Sequence, residues 1–218
     1  MENRQIRFAF VGTGRISNWV LRGAREDKRF CLSAVYSRKE ERAAEWLQTH
    51  PEWTGVKIFD SMESLAATEG IDAVYIGTPN STHFGYAKTC LEAGKHVLCE
   101  KPLVTSASDA RELAATARRK GMLLMEAMIS TLNPNFTTAV ATVPSIHPVR
   151  NYFSSYCQYS TKYEDLRRGI VASSLDPQLG GGAVRDIGIY TIYPMVTLFG
   201  MPSDVTSEAL LVDTRTAR

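Results

Sequence analysis

Short apolar runs alternate along the chain with longer stretches in which apolar residues return every three or four positions. The runs are Ile6 to Val11, Cys31 to Tyr36, Val56 to Phe59, Ala73 to Ile76, His96 to Cys99 and Leu123 to Met125. Apolar runs this short, without polar alternation, read as strands of a parallel sheet buried on both faces. Between them, Ile16 to Arg25, Lys39 to Thr49, Ser61 to Thr68, His83 to Ala93 and Ala107 to Arg119 carry helical spacing. Gly94 and Gly121 follow two of these helices as stop signals, and Ser106 or Ser108 can cap the last one. A strand–helix alternation of this kind is a βαβ series, so residues 1–128 are expected to form an α/β domain with a doubly wound parallel sheet.

After Met128 the pattern changes. Asn133-Pro134-Asn135 interrupts the chain, and Val149 to Tyr159 is β-branched and aromatic with partial alternation, which predicts an antiparallel strand opening a second domain over 129–218. Gly180-Gly181-Gly182 then leads into an apolar helix from about Ala183 to Phe199, kinked at Pro194, and a strand is expected from Val205 to Val212. One or two strands and a helix make an incomplete sheet with an uncovered edge. The expectation is therefore a chain truncated at its C-terminal side, or one completed by a partner.

Composition narrows the functional classes. With 218 residues, 44% hydrophobic and 22% charged, the chain is long enough for one large or two small globular domains. A net charge of +2 with dispersed basic residues leaves no footprint for nucleic acid or an anionic membrane. No apolar run reaches the roughly 18 residues of a membrane span, and the N-terminus lacks a signal-peptide pattern. Cys31, Cys90, Cys99 and Cys157 are scattered without a CxxC pair, so neither a disulfide framework nor a metal site is expected, and a cytoplasmic location fits best.

The chemistry-bearing residues sit at strand ends. Val11-Gly12-Thr13-Gly14-Arg15-Ile16-Ser17 is a GxGxxS form of the dinucleotide fingerprint, placed where a strand turns into a helix. Gly12 permits the tight turn, Gly14 allows a pyrophosphate to approach the backbone, and the helix from about Arg15 offers unpaired N–H groups. A plain glycine turn is the competing reading. The second strand ends at Tyr36-Ser37-Arg38-Lys39, where an NAD site places an acid on the adenosine ribose; none is present. Ser37 can donate to a 2′-phosphate and Arg38 can pair with it, which suggests NADP over NAD, unless Arg38 and Lys39 only solvate a helix start. Gly77-Thr78-Pro79-Asn80-Ser81-Thr82-His83 follows the fourth strand, with Thr78, Pro79 and Asn80 expected to line the cofactor. His83 is grouped with this cofactor-contacting loop, but at a helix start it reads as a capping or packing residue, not a catalytic one.

The fifth strand delivers Glu100-Lys101-Pro102 to the same edge. There Lys101 can donate to a substrate hydroxyl or carbonyl, with Glu100 anchoring its ammonium; a solvated lysine is the alternative. Asp186 and Tyr190 are four apart and share a helical face. Such a pair can hold a sugar-like hydroxyl through Asp186 while Tyr190 exchanges the proton, Lys101 bringing the phenol toward working pH. A satisfied buried Asp and a packed Tyr would explain the same two residues.

These motifs resemble the glucose-fructose oxidoreductase, inositol dehydrogenase and MocA (Gfo/Idh/MocA) family. The resemblance rests on Gly12 to Ser17, on Thr78 to Leu103 and on Gly180 to Gly200, and it covers essentially the whole chain. Within the family the chain looks most like the dimeric dihydrodiol dehydrogenase branch, whose late motif carries Tyr where many relatives carry His. The resemblance implies a Rossmann domain followed by an α+β domain with an open, mostly antiparallel sheet, which here would be partial. It implies Lys101 as the substrate-binding lysine, Asp186 on a substrate hydroxyl and Tyr190 as the acid/base. Relatives use NADP or NAD, without a metal, to oxidise a secondary alcohol of a sugar, cyclitol or diol, or to run the reduction. A homo-oligomer, a dimer through the sheet domain, is implied as well. Two readings from other classes are a nicotinamide-binding regulator without turnover and an NAD-assisted glycosidase. Retention of Lys101 argues against the first, and the missing ribose acid against the second.

Overall fold

The computed structural model describes residues 4–146 and 148–208, and the chain divides into two compact units, Met1–Ala127 and Met128–Arg218. In the first unit, six strands form one sheet: β1 (Ile6–Val11), β2 (Phe30–Tyr36), β3 (Lys57–Phe59), β4 (Ala73–Ile76), β5 (His96–Glu100) and β6 (Leu124–Ala127). Their order is β3-β2-β1-β4-β5-β6 and every pairing is parallel, the doubly wound order of a Rossmann fold. Because all six strands run the same way, the residues that follow them share one edge of the sheet.

Alternation along the strands explains why helices cover both faces. Ala9, Val11, Val74 and Ile76 pack with Leu65, Ala87, Leu91 and Leu113. The intervening Phe10, Val35 and Tyr75 pack on the other side with Leu21, Ala43 and Trp46. Two faces thus need two helical layers: α1 (Arg15–Ala24) and α2 (Glu40–Gln48) on one, and α3 (Met62–Ala67), α4 (Asn80–Glu92) and α5 (Ala107–Lys120) on the other. Strand β4 shows the consequence most simply, since all four of its residues are buried. Ser106 caps α5 by accepting from the Asp109 amide, and Gly121 ends it with a left-handed φ of 67°.

The second unit is helical among its described residues. A 3₁₀ turn at Ile129–Leu132 leads to α6 (Pro134–Thr142), and α7 (Tyr163–Arg167) follows a long irregular segment. A π-helical turn at Val184–Gly188 then feeds α8 (Ile189–Phe199), in keeping with the expected late helix containing Pro194. The expected open antiparallel sheet is corrected here. Val149 to Tyr159 forms no strand, and neither does the described part, Val205 to Glu208, of the last expected strand; its remainder lies outside the described residues. A strand persists only as part of a ladder, and the described residues of this unit offer no second edge to pair with. Phe153, 90% exposed, accordingly has no face to pack against.

Candidate active site

The strand order reverses between β1 and β4, and the two glycines that follow these strands meet there. Gly12 has φ +102°, and a Cβ on it would stand 2.7 Å from the Gly77 carbonyl oxygen. Its amide continues the ladder to the Tyr36 carbonyl at 3.1 Å, while the Gly77 amide reaches Val11 O at 2.9 Å. Ser17, fully buried on α1, donates its hydroxyl to Gly12 O at 2.8 Å and so locks the turn. The third position of the fingerprint normally requires a small residue for close helix–strand packing, and Ser17 meets that need while adding a hydrogen bond. Above Gly14 the space is open, since a Cβ there would meet nothing within 4 Å. Gly14 is the N-cap of α1, whose first turn contains no acidic residue. Thr13 lies in the turn between these glycines; Arg15 opens the helix with its guanidinium 5.7 Å over the exposed Trp19 ring, and Ile16 is 38% exposed.

On one side of this crossing, β2 ends in Ser37 and Arg38. The Ser37 amide extends the sheet to Phe59 O at 3.0 Å and its hydroxyl accepts from the Lys39 amide at 3.3 Å. Arg38 is exposed. Beneath them the Tyr36 hydroxyl meets that of Tyr86 at 3.2 Å, tying the end of β2 to α4, and burial pushes the Tyr36 phenol up from its ordinary value.

On the other side, the loop after β4 is braced by hydroxyls. Thr82 donates to Pro79 O at 2.7 Å, which leaves Thr78 to donate to Thr82 Oγ1, also at 2.7 Å. Helix α4 begins at Asn80, one turn earlier than the expected start at His83, because Pro79 at its N-cap supplies the extended conformation from which the helix departs. That moves His83 inside the helix, so of the expected capping or packing role it is the packing that the structure shows. It is fully buried, with Nδ1 2.9 Å from Pro102 O and Nε2 2.9 Å from Thr78 O.

Each residue of the segment after β5 is held. The Lys101 amide donates to Glu100 Oε2 at 3.3 Å, the Pro102 carbonyl faces His83, and the Leu103 amide donates to Glu126 Oε1 at 2.7 Å. Glu100 itself accepts from the Tyr75 hydroxyl at 3.0 Å. Burial raises the Glu100 carboxyl above the usual carboxylate range, against the pull of Tyr75, the Lys101 amide and the charges of Lys101 and His83. The same burial, reinforced by Glu100, holds Tyr75 as a phenol. Sequence reasoning missed Tyr75 and Glu126. Tyr75 is hidden in an apolar run, but the acid inside the apolar β6 was a legible signal.

In the second unit, Asp186 lies in the π-helical turn and Tyr190 at the start of α8. The Lys162 ammonium is 3.9 Å from Asp186 Oδ2 and also bonds the Ser174 hydroxyl. Tyr190 stacks on Tyr156, with centroids 5.2 Å apart and planes inclined by 19°. Neither Lys162 nor Tyr156 was legible beforehand, because the segment around Tyr156 read as a strand.

The family model described as oxidoreductase family, NAD-binding Rossmann fold, matches residues 6–128. The chain belongs to this Gfo/Idh/MocA oxidoreductase family. A scyllo-inositol 2-dehydrogenase (NADP(+)), IolU of Bacillus subtilis, is 42% identical over 93% of the chain and 61% of its own length. The trans-1,2-dihydrobenzene-1,2-diol dehydrogenase of Xenopus tropicalis is 32% identical over 83% of the chain and 53% of its own length, in line with the dihydrodiol branch. Among solved structures, the 3-ketoreductase KijD10 of Actinomadura kijaniata, in complex with NADP, superposes with a TM-score of 0.70 at 27% identity, covering 90% of this chain and 58% of that one. The chain therefore spans little more than half to three fifths of the relatives it matches. Among the described residues no helix is long and apolar enough to cross a membrane, and no three or more His, Cys, Asp or Glu side chains group as a metal site.

Proposed function

We propose that this chain binds a nicotinamide dinucleotide, NADP in preference to NAD, and serves an oxidoreductase that interconverts a secondary alcohol and a carbonyl on a sugar, cyclitol or diol. The observation that carries this reading is the convergence of Ser37, Gly12, Gly77–Thr78 and Glu100–Lys101 on one edge of the sheet, on four consecutive strands β2, β1, β4 and β5 around the reversal point. Ligands of open α/β sheets bind there. The residues fit the cofactor. Gly12 and Gly77 let the two turns close on each other, since a Cβ on either would collide with protein atoms, and the open backbone at Gly14 and α1's uncapped first turn suit a pyrophosphate. Thr13, Arg15 and Ile16 belong to the same turn, and Thr78, Pro79 and Asn80 to the facing loop. Ser37 and Arg38, with no acid beside them, suit a 2′-phosphate.

When bound, the nicotinamide supplies or accepts the hydride. The protein's share is orientation and proton management. Lys101 donates to the reacting oxygen and stabilises negative charge on it. Asp186 accepts from a substrate hydroxyl, and Tyr190 takes the proton in oxidation or returns it in reduction. The reading extends to a cytoplasmic homo-oligomer with no nucleic-acid or membrane partner.

A fluorescence titration with NADPH and NADH, recording energy transfer from tryptophan to the reduced nicotinamide, tests the proposal. Saturable binding with tighter NADPH is expected. Failure to bind either nucleotide overturns it.

A further inference from the structure

His83 is fully buried, and both of its ring nitrogens face backbone carbonyl oxygens at 2.9 Å, Thr78 on one side and Pro102 on the other. A carbonyl only accepts. A neutral imidazole has one N–H and one lone pair, so one of these contacts would press two lone pairs together. Both contacts are satisfied only if both nitrogens donate, as they do in the imidazolium. A buried cation needs a counter-charge. Glu100, on the strand leading into the Lys101 segment, is a carboxyl on which the charges of both Lys101 and His83 act, though burial raises it.

We propose that His83 is a positioning residue whose doubly protonated ring ties the Thr78 carbonyl to the Pro102 carbonyl and so fixes the Lys101 segment relative to the Thr78–Asn80 loop. Two charge-assisted hydrogen bonds would then join the segment assigned to substrate to the loop assigned to cofactor. The bridge rests on the two ring-to-carbonyl contacts of His83. Its effect on ligand binding rests on the nicotinamide reading above.

The experiment is ¹⁵N NMR of the 218-residue chain with ring-labelled histidine. Resonances are assigned by replacing the other three histidines, His50, His96 and His147, one at a time with Gln. One-bond N–H couplings at both Nδ1 and Nε2 of His83 are expected; a proton on one nitrogen alone overturns the charged bridge. In a parallel NADPH titration well below the melting temperature, His83→Gln is expected to bind about tenfold more weakly. Unchanged affinity in a folded variant overturns the positioning role. Absence of NADPH binding by the unaltered chain sinks the nicotinamide reading instead, and the couplings still decide the bridge.

Discussion

A Cβ on Gly12 would lie 2.7 Å from the carbonyl oxygen of Gly77, so the backbones of the turns after β1 and β4 are in close contact. Gly12 also has φ +102°, where an L side chain is strained whatever the space around it. Gly12→Ala is therefore expected to lower stability by about 1–3 kcal/mol and to abolish nucleotide binding. Urea unfolding and NADPH titration of the same preparation check the two halves. A variant that keeps full affinity would mean that the turn tolerates displacement and does not shape the site.

Tyr75 reaches under the same crossing, and its hydroxyl is the donor to the half-buried Glu100 carboxylate. Tyr75→Phe leaves that half-buried carboxylate oxygen without its donor. A loss of about 1–3 kcal/mol in stability is expected at neutral pH. The loss should shrink as the pH falls far enough to protonate Glu100, because burial raises that carboxyl and the neutral acid needs the hydrogen bond less. Urea midpoints of both proteins across the acid range decide it, and a difference independent of pH would show that only packing is lost.

The sheet was legible because its signal is local: each buried strand is a short apolar run, and Gly and Ser punctuate the helices that follow. Four positions on that edge of the sheet, Gly12, Gly14, Thr78 and Lys101, were legible for the same reason, since each lies within three residues of a strand end. What is carried by contacts between distant residues was not. His83 read as a helix-start residue because nothing in its neighbours announces the Pro102 carbonyl 19 positions away. Glu126 holds the Leu103 amide over a separation of 23 residues. The antiparallel strand at Val149 to Tyr159 was misread because β-branched and aromatic composition measures fitness for a sheet, and composition does not supply the partner strand.

Arg38 tests nucleotide choice. If its guanidinium pairs with a 2′-phosphate, Arg38→Ala should weaken NADPH binding by roughly 1.5–3 kcal/mol while leaving NADH within about twofold. Parallel fluorescence titrations give both constants. An equal loss for the two nucleotides would place Arg38 against the adenine ring instead.

Lys101→Ala is expected to reduce turnover by about 10² or more with little change in NADPH affinity. The segment's bonds to Glu100, His83 and Glu126 use the Lys101 amide, the Pro102 carbonyl and the Leu103 amide, which the substitution leaves in place. Steady-state rates with a panel of sugars, cyclitols and diols, alongside the nucleotide titration, separate chemistry from binding. An unaltered rate would remove the lysine from the reaction.

Asp72 anchors the sheet at the opposite edge from the site. Its carboxylate accepts from the Arg7 amide at 2.9 Å, Arg7 Nε at 3.0 Å and Arg4 Nη2 at 2.8 Å, and the Arg7 side-chain bond is the main reason its pKa falls from 3.8 to about 2. A carboxyl depressed by folding contributes stability above its unfolded value and loses it as pH falls through the folded one. Asp72→Asn should therefore be less stable than the parent by about 1 kcal/mol near neutrality, the pairs being partly exposed. The difference should close between pH 3.8 and about 2, where the parent's carboxylate takes up its proton. Urea midpoints of both proteins over that range check it, and a gap that persists at the acid end would mean that hydrogen-bond shape, rather than charge, holds β1 to the start of β4.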